Sequence, residues 1–228
     1  MTLAALRTLP DALLLGALKH FQPALGEEGA AAALALGAGV PDLALRWGLA
    51  AGPAGAALAA AAALRLGQTD TAQRLIGPLP PDARRAVLHA RLQALRGEGA
   101  AEAAQLARHQ ARREGDAPAL IAAVTLLGEL QLGEAEALTA LRTLAEGLKV
   151  AELTSQDADA HLLAVLAHAQ RRVGGAAKAR RTAEKALERA PRRSPARVWA
   201  LVALERRQDA EREFQAGQLG AGWWPSGQ

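Results

Sequence analysis

Apolar positions along the chain recur at helical spacing and are cut at intervals by glycine and proline. Before Gly174, residues Leu162, Val165, Leu166, Ala169 and Val173 fall at i, i+3, i+4, i+7 and i+11, the stripe of an amphipathic helix. After Gly174-Gly175, residues Ala176, Ala179, Ala183, Ala186, Leu187 and Ala190 share one face, and Pro191 ends the hydrogen-bond ladder. Residues 170–191 therefore predict a helix end, a tight glycine turn and a second helix.

The same grammar runs along the rest of the chain. Residues 10–20 predict a first helix with Leu13, Leu14, Ala17, Leu18 and Phe21 on one face. Residues 24–66 hold about three short alanine-rich helices cut by Gly37, Gly39, Pro41, Gly52 and Pro53, with Trp47 as a core residue. Gly67 opens a short second helix. Asp82 is an N-cap candidate for a helix to Arg96 with Leu88, Leu92 and Leu95 inward. Gly97 and Gly99 turn into a helix bearing Ala103, Ala104, Ala107 and Ala111, which Gly115-Asp116 ends. A helix to Leu132 follows, with either Gly128 or Gly133 as the turn before the next one. Ser155 or Asp157 is the candidate cap for the helix leading to Gly174, and Gln208-Asp209 is the last predicted turn.

These turn marks, at Gly67, Gly97, Gly133, Gly174 and Gln208, lie 30, 36, 41 and 34 residues apart. Spacing that wanders about the mid-thirties predicts an irregular stack of helical hairpins. Gly174, Ala179, Ala186 and Pro191 stand at the turn and five, twelve and seventeen residues beyond it. On those residues the stretch resembles the tetratricopeptide repeat over about one period. It departs from the family pattern at Ala183, an aromatic position, and at Leu163, a tryptophan position. The resemblance implies an all-α, right-handed solenoid of antiparallel helical hairpins, with a concave groove lined by the first helix of each hairpin. The family's clamp for C-terminal carboxylates uses asparagine, and the chain has none. The expected organisation is a single repeat domain over 1–217, with 1–66 degenerate and 67–217 clearer, followed by a tail over 218–228. Trp223-Trp224 in that tail should fold back on the last hairpin and cover its apolar edge.

Composition narrows the function classes. Half of the 228 residues are apolar and 22% charged, the balance of a folded chain. Aromatics make up 3%, and alanine about a quarter, which suits closely packed helices and not a sheet. Cysteine is absent, so disulfides and thiolate metal sites are excluded. Residues 47–64 carry no charge, but their alanine, glycine and Pro53 give little drive for membrane insertion. No signal peptide is read at the N-terminus, and a cytoplasmic protein without a membrane span is expected.

Candidate chemistry is sparse. The five histidines form no HExxH pattern, and no GxSxG, Walker loop or dinucleotide fingerprint occurs. No catalytic residue, metal or cofactor is therefore assigned, and the protein is read as a non-enzyme. Residues 171–213 hold 13 basic and 6 acidic side chains. Lys178, Arg181, Lys185 and Arg189 share a stripe opposite the alanines, and Arg192, Arg193 and Arg197 extend it. A solvated outer face explains this stripe; an acidic partner or a nucleic-acid backbone is the sharper reading.

The expected function is a protein–protein interaction module or scaffold. In the family register, His89, Gln93 and Arg96 on one helix and His161, His168 and Arg172 on another face the groove. They would bind an acidic or extended peptide, more tightly as histidines titrate near pH 6.5. The alternative is a nucleic-acid accessory protein using the basic surface.

Overall fold

The computed structural model describes residues 2–155 and 157–225. Among these residues it holds fourteen α-helices and no strand. Helices α1 (Leu3–Arg7) and α2 (Asp11–His20) precede α3 (Glu28–Gly37) and α4 (Pro41–Ala50). After a 3-10 turn at Gly52–Gly55 come α5 (Ala56–Arg65) and α6 (Thr69–Ile76). The longer helices are α7 (Ala83–Arg96), α8 (Ala100–Glu114), α9 (Ala117–Gly133), α10 (Ala137–Leu153), α11 (Ala160–Arg172) and α12 (Ala176–Arg189). The chain ends with α13 (Pro195–Ala203), α14 (Arg207–Ala216) and a 3-10 turn at Ala221–Trp223. From α3 onward each helix packs on the next, and each odd-numbered helix also packs on the next odd one.

Helix starts follow the same alternation. Asp82, Asp116, Asp159 and Ser194 cap α7, α9, α11 and α13 through their side chains, each accepting a first-turn backbone N–H. The partner helices α8, α10, α12 and α14 start without a side-chain cap. Gly174 takes φ +86° in the turn between α11 and α12, a conformation glycine adopts without strain.

From α8 onward burial separates the two rows of helices. Every residue from Leu162 to Gln170 of α11 is buried, and α13 is buried nearly all round. By contrast α12 buries only Ala179, Ala183 and Ala186, and α8 only Ala100, Ala104, Ala107 and Ala111. Small residues let helix backbones approach: a Cβ at Gly128 of α9 would lie 2.7 Å from Leu144 of α10, and one at Gly147 of α10 2.9 Å from Val124. The first helices form their own core around Leu6, Leu18 and Trp47, with Phe21 edge-on to Trp47 at 5.9 Å. The two ends of the chain also meet, since Gly39 between α3 and α4 lies against the backbone of Arg192 between α12 and α13.

Several local expectations are corrected. Leu13 points outward at 61% exposure, while Leu14, Leu18 and Phe21 face the core. Gly128 sits inside α9, and its role is close approach to Leu144 and not a turn. Asp159 caps α11, in place of Ser155 or Asp157, because its carboxylate reaches the His161 and Leu162 N–H groups. The last interhelix turn is at residues 204–206, with Glu205 at φ +61°, so Gln208 and Asp209 already belong to α14.

Candidate functional site

A cavity of about 550 Å³ lies on the face formed by the odd-numbered helices. Leu36 of α3, Arg65 of α5, Arg91 of α7, Thr125 of α9, His161 of α11 and Ala196 of α13 all line it, with Trp223 beside them. Its helical lining comes entirely from odd-numbered helices.

Three of those helices are joined by one buried charge network. Arg91 donates two hydrogen bonds to Glu129 of α9, at 2.5 and 2.6 Å, and His161 Nε2 lies 2.8 Å from the same carboxylate. Burial by itself would raise the Glu129 carboxyl, but the Arg91 charge, its hydrogen bonds and His161 outweigh it and hold the group well below the usual carboxylate range. Nε2 of His161 faces the carboxylate, and its Nδ1 is buried with no hydrogen-bond partner. On its other side the Arg91 guanidinium stacks over the Trp223 ring at 4.4 Å.

Arg65 is the second cationic group of the cavity. It donates to the Leu36 carbonyl at 2.6 Å, tying α5 to α3. Burial lowers its pKa to about 10, with the Asp159 charge opposing the shift, so it stays charged at neutral pH.

Of the six residues expected in the groove, the structure brings only His161 to the cavity. On α7 the inward face carries Leu88 and Arg91, whereas His89 is exposed and Gln93 half-buried. Arg96 forms a surface ion pair with Asp70 at 2.9 Å. His168 is 6% exposed and buried against Trp199, with Nε2–H donating to the Trp199 carbonyl at 2.9 Å. Burial, aided by the charges of Arg171, Arg172 and His161, pushes it down to about 4 against the hydrogen bond to Trp199. A titration of this imidazole near pH 6.5 is therefore overturned. Arg172 is exposed at the end of α11.

The basic stripe is divided. Lys178, Arg181 and Lys185 are exposed on α12. Arg189 instead pairs with Asp157 at 2.8 Å, and Arg197 with Glu213 at 2.8 Å. Arg192 and Arg193 lie at the junction with the turn between α3 and α4.

The tail does more than cover the last hairpin. Trp224 packs edge-on against Phe214 of α14 at 5.4 Å, and Leu219 and Trp223 join the α13 cluster of Val198, Leu201 and Val202. The same segment then reaches α5: Gly220 N–H donates to the Arg65 carbonyl at 2.7 Å, and the Trp223 indole N–H to the Leu64 carbonyl at 2.8 Å. Residues 226–228 of the expected tail lie outside the described residues.

Arg65, Arg91 and Glu129 were not singled out by the spacing argument. Two of them carry a signal in hindsight: Arg65 is the sole charge of α5, and Glu129 the sole charge of α9. A lone charge in a buried apolar helix must find a partner across the helix packing. Among the described residues no three acidic or histidine side chains are placed to hold a metal ion, and no helix is long and apolar enough to cross a membrane. No protein-family model matches the chain, and no curated protein matches it.

Proposed function

We propose that the protein is a non-catalytic interaction module, built as a right-handed stack of helical hairpins of the tetratricopeptide kind. It binds a protein or peptide partner along the face of the odd-numbered helices. One observation carries this reading: α3, α5, α7, α9, α11 and α13 all contribute to a single cavity, and no even-numbered helix lines it. A surface shared by successive first helices suits an extended segment that touches several hairpins at once. Arg65, charged and paired to a carbonyl, favours a partner with an acidic group.

A photo-crosslinking side chain at Ala122, which is exposed in the cavity, should capture a discrete protein partner, and one at Arg181 on the outer face should not. Capture from Arg181 alone would move the function to the outer surface. The exposure of Lys178, Arg181 and Lys185 keeps a nucleic-acid reading in play there. Salt-sensitive binding of a random duplex, abolished by reversing those three charges, would favour it.

A further inference from the structure

We propose that residues 219–224 occupy a peptide seat in cis, and that this seat takes a partner segment of the form apolar-Gly-x-Gly-Trp. The inference rests on the reading of the odd-helix face as the binding surface and names the partner chemistry for one end of it. The segment is held as a short linear peptide would be. Gly220 and Trp224 have extended backbones on either side of the single 3-10 turn. The Gly220 N–H reaches the Arg65 carbonyl, and the Trp223 carbonyl accepts from the Trp199 indole at 3.0 Å. The anchor is Trp223, 8% exposed, with its ring under Arg91 and its indole N–H on Leu64.

Each position in the motif has a steric or polar reason. A Cβ at residue 220 would stand 2.5 Å from the Gly67 Cα, a backbone atom that cannot step aside. At residue 222 it would meet Leu95 Cδ2 at 2.5 Å, the end of a side chain that can turn aside, so glycine is required less strictly there than at 220. At 223 phenylalanine would fill much of the ring site but lose the indole hydrogen bond to the Leu64 carbonyl, which would keep only the Gly67 N–H. The preceding apolar residue, Leu219, is buried at 6% exposure with Val198 and Leu201. Because Trp223 itself borders the cavity, where its ring already meets Arg91 and His161, a partner that carries this motif and continues past it gains contacts with further lining residues such as Ala122 and Thr125. Tethering gives the tail an effective concentration on the order of millimolar, so it acts as a built-in competitor.

The test uses the full chain and a fluorescent synthetic peptide of residues 217–228. Gly220→Val in the chain unseats its own tail and leaves the seat intact. The variant should bind the peptide at least ~10-fold more tightly than the parent chain does, by the tethering argument. A peptide bearing the same Gly220→Val change should fail to bind. A folded variant that binds no better than the parent overturns the proposal. Trp223→Phe in the chain is the milder second variant, judged by the same criterion. If either variant is unfolded alone, recovery of its helical signal on adding the unaltered peptide supports the seat, and no recovery overturns it. Failure here leaves capture at Ala122 untouched, whereas failure of that capture alone removes the wider reading and leaves the seat.

Discussion

Helices α11 and α12 form one hairpin and are nearly equal in length, yet they are opposite in kind. α11 lies between α9, α10, α12 and α13 and buries nine consecutive residues, from Leu162 to Gln170. α12 buries one stripe of alanines, half-buries Thr182 and Leu187 beside it, and exposes its charged residues. Polar groups on the two helices therefore carry different energetic weight. His161 and His168 on α11 must each find a partner, and they do so in Glu129 and the Trp199 carbonyl. Lys178, Arg181 and Lys185 on α12 need none, since solvation already satisfies them. The polar groups that must be paired inside the protein are thus on the helix whose sequence looks less polar.

The largest expected contrast comes from cutting one charge on each row. Glu129→Leu leaves Arg91 buried without its carboxylate and should cost about 3–5 kcal/mol in urea unfolding. Arg91→Met in the same chain should recover most of that loss, as apolar replacement of a whole buried pair does. Glu184→Ala on α12 breaks an exposed pair with Arg180 and should change stability by under about 0.5 kcal/mol. Equal effects at the two sites would erase the distinction between the rows.

Acid sharpens the same comparison. Between pH 6.5 and about 4 the unfolded chain protonates the His168 imidazole while the folded chain holds it neutral. Stability should fall as pH drops through that window, by at most about 3 kcal/mol from this group, and be indifferent to it above pH 6.5. Glu129 adds its own loss at lower pH, as protons begin to compete for a carboxylate stabilised in the folded state. His168→Gln, which keeps an N–H for the Trp199 carbonyl, should flatten the upper part of the pH profile. An unchanged slope would mean that another group sets it.

A smaller effect is expected where the rows touch. Gly147→Ala places a methyl 2.9 Å from Val124 and 3.1 Å from Leu162, so it should cost about 1–3 kcal/mol through overpacking. An exposed glycine such as Gly133, with nothing near its added Cβ, should accept alanine at no packing cost.

The helices were legible in the sequence because the outer row announces itself. Alanine stripes such as Ala179, Ala183 and Ala186 alternate with charge at helical period, and Gly174 marks the turn. The site was not legible, for two physical reasons. Helices buried on several sides, such as α9, have no polar face from which to read an orientation, so the register on α7 was set by His89 and Gln93 and missed Arg91. The second reason is range. Trp223 meets Leu64 across 159 residues, and neither end of that contact carries a local pattern pointing to the other. Only the need of two tryptophans for cover was readable, and it correctly predicted that the tail would pack against the last hairpin.

The most direct measurement adds one carboxylate to each row and asks which abolishes binding. Ala122→Glu places the charge in the cavity, and Arg181→Glu places it on α12. Calorimetric titration of both chains with the partner captured at Ala122 should show at least ~10-fold weaker binding for Ala122→Glu, about the cost of a misplaced interfacial charge, and parent affinity for Arg181→Glu. Parent affinity for Ala122→Glu together with a loss at Arg181→Glu would contradict the assignment of the odd-helix face as the binding surface.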